Sequence, residues 1–176
     1  MAGIGSRIVR AARLEPALYE EVEADRSATG QAFLVVVLSS VAGGIGALGW
    51  VGSSGVSGLI LGAIGAAVAW IVWAFLILII GTKILATAET RSDLGELLRT
   101  LGFATSPGLL RVLGVIPGLG TLAILAVTIW MLAAMVVAVR QALDYTSTWR
   151  AVAVCAIGFF TNLAISGFIA GLADRA

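Results

Sequence analysis

The sequence predicts an all-α protein of the polytopic membrane class. Hydrophobic residues make up 60% of the 176-residue chain and charged residues only 12%, with a mean hydropathy of +1.06. Soluble domains are about 45–50% apolar and about 25% charged. Four stretches without acidic or basic side chains, about 30–51, 58–81, 119–139 and 152–172, each reach the length of about 20 residues that crosses a hydrocarbon core of about 30 Å. A fifth apolar piece, about 101–115, is shorter and carries Pro107 and Arg111.

Composition also excludes. The net charge of +1 removes the electrostatic argument for nucleic acid. There is no histidine, and Cys155 is the single cysteine. His-based acid–base chemistry, Ser-His-Asp triads and thiolate or imidazole metal clusters are therefore not available. No catalytic, cofactor or metal site is expected.

Residues 1–29 read as a cytoplasmic amphipathic segment. Its start lacks the continuous apolar run of a secretory signal, so the N-terminus is expected to be retained. Ile4, Ile8, Ala11 and Ala12 recur at helical spacing with Arg7, Arg10 and Arg13 on another side. That pattern fits either an interfacial helix on anionic headgroups or a frayed basic tail. Pro16 suits a first helical position. From it Leu18, Tyr19 and Val22 cluster on one side, and Glu20, Glu21, Glu23 and Asp25 form what reads as a solvated acidic face. The spacing and turn glycine of an EF-hand are missing.

The first long span carries small residues at Ala42, Gly43, Gly44, Gly46 and Gly49, and Trp50 suits an interface anchor. A Gly/Ser-rich turn at 52–57 leads into the second span, where Gly58, Gly62, Gly65 and Ala66 continue the small-residue pattern. The two spans are expected to pack as an antiparallel hairpin along these glycines. Lys83 marks the cytoplasmic end. After it, Thr90 or Ser92 is placed to cap a helix in which Leu94, Leu97, Leu98 and Leu101 share a face, with Asp93, Glu96 and Arg99 on the polar side.

The piece at 101–115 reads either as a short tilted span or as a re-entrant segment. Pro107 removes one helical hydrogen bond, Thr105 and Ser106 stand close enough to satisfy freed backbone groups, and Arg111 is expected to snorkel outward. In the last span Gly167 and Gly171 repeat the four-residue small spacing. Asn162 there is either a cross-helix hydrogen-bonding residue or a ligand contact. Five spans put nine of the eleven basic residues on the cytoplasmic side, and a re-entrant segment gives the same count.

Leu14-Glu15-Pro16 followed by Tyr19-Glu20-Glu21-Val22, the Gly102-Phe103 pair ahead of Pro107, and the run Val139-Arg140-Gln141-Ala142-Leu143 resemble Yip1-domain proteins, in particular their bacterial branch. The resemblance covers nearly the whole chain. It implies five spans, a short proline-broken third among them, a membrane domain over 30–175 and a cytoplasmic N-terminus. Eukaryotic members are associated with vesicle trafficking and Rab GTPases. Their Asp-Leu-Tyr-Gly-Pro motif is absent here, so that role is not carried over.

The expected function is a non-enzymatic scaffold or organiser in the bacterial cytoplasmic membrane. Its expected partners are the lipid bilayer and a second copy or another membrane protein, through Gly43, Gly44, Gly58, Gly62, Gly102, Pro107, Arg111, Asn162, Gly167 and Gly171. The alternative is a small transporter or channel with a site near Pro107 and Asn162. An intramembrane enzyme using Ser106 or Ser166 has no base within sequence reach.

Overall fold

The computed structural model describes residues 3–47 and 55–173, with the side chains of the last helix described through residue 164. Trp50 and residues 52–54 of the expected turn lie outside the described residues, and residues 55–57 of that turn already belong to the helix that follows. The described elements are all helical, in the order α1 (Ile4–Ala12), α2 (Pro16–Ala24), α3 (Ala28–Ala47), α4 (Gly55–Ile79), a π-turn (Ile80–Ile84), α5 (Leu94–Ala104), a 3₁₀ segment (Ser106–Val115), α6 (Gly120–Ala142) and α7 (Thr148–Ala173). Among the described residues three helices are long and apolar enough to cross a membrane: Ala28–Ala47, Val56–Ile84 and Gly120–Ala142. The described part of α7 adds a shorter apolar stretch, Thr148–Ala164.

One end of the bundle is closed by the polar segments. Ala11, Leu18, Tyr19 and Val22 are fully buried there with Leu97, Leu101, Val139 and Leu143. Helix α1 is folded against the chain rather than frayed, and two of the three arginines turn inward: Arg7 is buried and donates to Glu21, Asp25 and Gln31, and Arg10 pairs with Glu15 and Glu21, while Arg13 is exposed. The acidic face of α2 is accordingly half neutralised within the chain. Trp130 Nε1 donates to the Ala12 carbonyl at 2.7 Å and Gln141 to Glu20 at 2.7 Å, which ties α1 and α2 to α6.

The same end gathers the other turns. Asp93, not Thr90 or Ser92, caps α5: its carboxylate accepts from the Glu96 amide and Glu96 returns a bond to the Asp93 amide, both at 2.9 Å. Such a reciprocal pair satisfies two of the donors that a helix start leaves unpaired. Arg99 is not on a solvated side. It is buried and donates to the Val22 and Glu23 carbonyls, the free C-terminal acceptors of α2. At the foot of α4 the π-turn loosens the carbonyl ladder, and the Tyr145 hydroxyl lies 3.0 Å from both the Gly81 and Leu85 oxygens. The start of α5, the end of α4, α2 and the α6–α7 turn thus share one end of the molecule.

Candidate functional site

The middle of the chain is built on α3. Helix α5 stops at Ala104, since Pro107 has no N–H to return to the α5 carbonyls, and Pro107 follows in the first turn of the next segment, where its missing N–H is least needed. Thr105 covers one freed carbonyl as expected, its hydroxyl donating to the Gly102 oxygen at 2.7 Å. Ser106 does not. Its buried hydroxyl has no partner among the described residues.

From Ser106 the chain continues for ten residues as a 3₁₀ helix, far beyond the three or four usual for that geometry. Close packing explains the persistence. A Cβ on Gly102 would lie 2.7 Å from the Ala32 Cβ, one on Gly108 would strike the Ser39 hydroxyl, and one on Gly46 would strike the Arg111 carbonyl. A Cβ on Gly114 would come within 2.7 Å of the Gly46 oxygen. The middle piece therefore climbs α3 from Ala32 to Gly46, side by side and in the same direction.

The small residues of the first two spans divide their work. Gly44 faces α4, where a Cβ would lie 2.7 Å from Leu59, and the Ser40 hydroxyl donates to the Gly62 oxygen at 3.2 Å. Gly43 and Gly46 turn to the 3₁₀ segment instead. The expected hairpin seam is thus shared between two neighbours. Gly58 sits in the first turns of α4, and a Cβ on Gly62 or Gly65 would meet nothing within 4 Å. Gly167 and Gly171 belong to α7 beyond the described side chains.

Between α3, α4, α6 and α7 lies an open cavity of about 630 Å³. Its polar lining comes from Ser39, Ser40, Thr105, Arg111 and Asn162, with Trp70 and Trp73 beside them. Trp70 is fixed by donating to the Leu98 carbonyl at 3.1 Å, whereas the buried Trp73 Nε1 has no partner among the described residues. Arg111 packs back against α3 and is half-buried. Its aliphatic stem lies along α3 at Gly43, with Cδ 3.5 Å from the place a Cβ would take. The guanidinium borders the cavity, and its buried Nε is unpaired. Of the residues singled out in the sequence, the cavity unites Gly43, Arg111 and Asn162. Pro107 and Gly102 belong to the α3 seam.

A second cavity, about 580 Å³, opens at the polar end among Glu20, Glu23, Glu96, Asp144 and Arg140. Burial, reinforced by Glu96, Asp144 and Glu20 and opposed by Arg99, pushes the Glu23 carboxyl up to about 7. Sequence reading missed this cluster, because its members come from three separate segments.

Comparison with known proteins bears on the whole of this architecture. Neither curated proteins nor solved structures offer a match to the chain. The family model of the Yip1 domain matches residues 15–169, from the turn before α2 to the last turns of α7. The same span holds the α2 clamp, the glycine seam and the cavity, and on that match the chain belongs to the Yip1-domain family of membrane proteins.

Proposed function

We propose that the chain is a five-span, non-enzymatic organiser of the bacterial cytoplasmic membrane, with its N-terminus in the cytoplasm, working through association with a second copy of itself. The observation that carries association is the outer side of α4. Gly62 and Gly65 stand open in the middle of a helix, flanked by exposed Leu61, Ile64 and Val68. A glycine inside a helix costs about 1 kcal/mol relative to alanine. At Gly46 or Gly108 close packing offsets that cost. At Gly62 and Gly65 nothing in the single chain does, and small residues that admit a neighbouring backbone are the usual basis of helix association in lipid.

The count of five spans is supported by the shared end described above. With α3 and α4 both taken to cross, α6 finishes beside α2 and the foot of α4, which favours a start at the opposite end and a piece between that traverses. Its length suffices: eleven residues of α-helix rise roughly 16 Å and ten of 3₁₀ helix about 20 Å. Nine of the eleven basic residues then lie on the N-terminal side, which the positive-inside rule assigns to the cytoplasm.

Cross-linking in native membranes tests the association. In a Cys155→Ala background, Gly62→Cys is expected to give a covalent dimer on oxidation, and Gly62→Leu is expected to abolish the dimer seen with a lysine-reactive cross-linker. A chain that stays monomeric in its own lipid would remove the reading. The alternative, passage of a small solute, has one observation in its favour: Arg111 and Asn162 border one cavity. Reconstituted vesicles that leak solute no faster than empty ones would exclude it.

A further inference from the structure

We infer that the cavity between α3, α4, α6 and α7 holds one anionic phospholipid, with Arg111 receiving its phosphate. The inference rests on the cavity alone and stands apart from self-association.

Four observations point the same way. Arg111 is a permanent cation, since a guanidinium does not lose its proton in proteins. It makes no ion pair or hydrogen bond among the described residues, and its Nε is buried. An unpaired charge half-buried among apolar groups is costly and is normally met by a counter-charge. No described residue supplies one: the carboxylates at positions 15–25, 89–96 and 144 do not line the cavity, and Asp174 lies outside the described residues. The counter-charge therefore belongs to a ligand.

The remaining wall identifies the rest of that ligand. Val36, Leu101, Met131 and Phe159 complete a lining that is mostly apolar, which suits acyl chains and leaves a free inorganic anion unsolvated on most sides. A zwitterionic headgroup would bring an ammonium with no carboxylate to meet it, so a net anionic lipid fits better. The volume falls within the range of about 300–1,000 Å³ of ordinary ligand sites. Asn162 and the unpartnered Trp73 Nε1 add hydrogen-bond donors on the opposite helices. A methyl group at Gly43 would meet the Arg111 stem at ordinary contact distance, so the stem lies in contact with α3 without requiring a glycine there.

The test uses the full chain purified in a neutral detergent and titrated separately with phosphatidylglycerol, phosphatidylcholine and inorganic phosphate. Native mass spectrometry counts bound molecules and thermal unfolding reports stabilisation. Wild type is expected to retain one phosphatidylglycerol at least about tenfold more tightly than phosphatidylcholine, and to unfold at higher temperature with it, as any ligand selective for the folded state requires. Arg111→Gln should lose both the preference and the thermal gain while remaining at least as stable without lipid, because it removes an unpaired charge. Ala66→Phe, which fills the cavity and keeps Arg111, should lose retention as well. Arg91→Gln, an exposed basic residue elsewhere, should behave as wild type. Equal retention of the two lipids, or an undiminished preference in Arg111→Gln, would overturn the inference. So would inorganic phosphate alone giving the full thermal gain, which would mark a site for a small anion.

Discussion

At the scale of single residues, the short motifs that suggested a family acquire physical reasons. Leu14 adopts the left-handed conformation (φ 61°) that closes α1, with the Glu15 amide bonded to the Arg10 carbonyl and the Leu14 amide to that of Ala11. Glycine is the usual residue there, and leucine is retained because its side chain packs on the core. Tyr19 donates to the Ala11 carbonyl, Glu21 bridges Arg7 and Arg10, and Arg99 caps the carbonyl of Val22. These roles were not legible from the sequence. Arg99 lies 77 positions from Val22, and a pattern confined to one helix assigns such an arginine to water. Glu23 permits a direct test. Its carboxyl is raised to about 7 by burial first and then by Glu96, Asp144 and Glu20. Folding therefore favours its protonated form, so its contribution to stability is whole below about pH 4.5 and is lost as the pH rises through about 7. Glu23→Gln should flatten the thermal stability profile across that window and unfold at higher temperature than wild type near about pH 8. For a part-exposed group the gain is roughly 1 kcal/mol, or about 2–4 °C.

At the scale of elements, length and hydropathy located the long helices but not the geometry of the middle piece. The signal was present in another period. Gly102, Thr105, Gly108, Arg111 and Gly114 fall in a row of step three, the last three within the 3₁₀ segment. In a 3₁₀ helix such residues eclipse one another along a single face, whereas in an α-helix the row would drift around the axis. A search for four-residue small spacing passes over it. On α3 the matching stripe, Ala32, Ser39, Gly43 and Gly46, keeps ordinary helical spacing. This seam predicts a sharp contrast between two glycines. Gly46→Ala would drive a methyl into the Arg111 backbone and should destabilise the bundle by about 1–3 kcal/mol, as overpacking commonly does. Gly62→Ala meets open space and gains helix propensity, so it should leave the detergent-solubilised chain as stable as before, or more so by up to about 1 kcal/mol. Thermal unfolding of the two variants side by side measures the difference.

At the scale of the whole molecule, charge counting left the course of the chain undecided, because five spans and a re-entrant loop distribute the basic residues equally. Contacts between remote segments support the five-span reading proposed above: Gln141 with Glu20, Tyr145 with Leu85, Arg99 with Glu23. Impermeant maleimide labelling of cells, again without Cys155, follows from that arrangement. Leu119→Cys should react from outside, and Thr146→Cys only after the membrane is opened. Labelling of both positions from one side would contradict five spans. The long 3₁₀ segment has a mechanical meaning at this scale. Its ten residues extend about 20 Å, and the same residues wound as α-helix would extend about 15 Å. The glycines that hold the tighter winding against α3 thus set the reach of the segment, much as the pitch of a screw sets its length for a given number of turns. On the five-span reading, the fit between this segment and the thickness of its bilayer is accordingly fixed by a hydrogen-bond register, rather than by the tilt that ordinary transmembrane helices use to correct a mismatch.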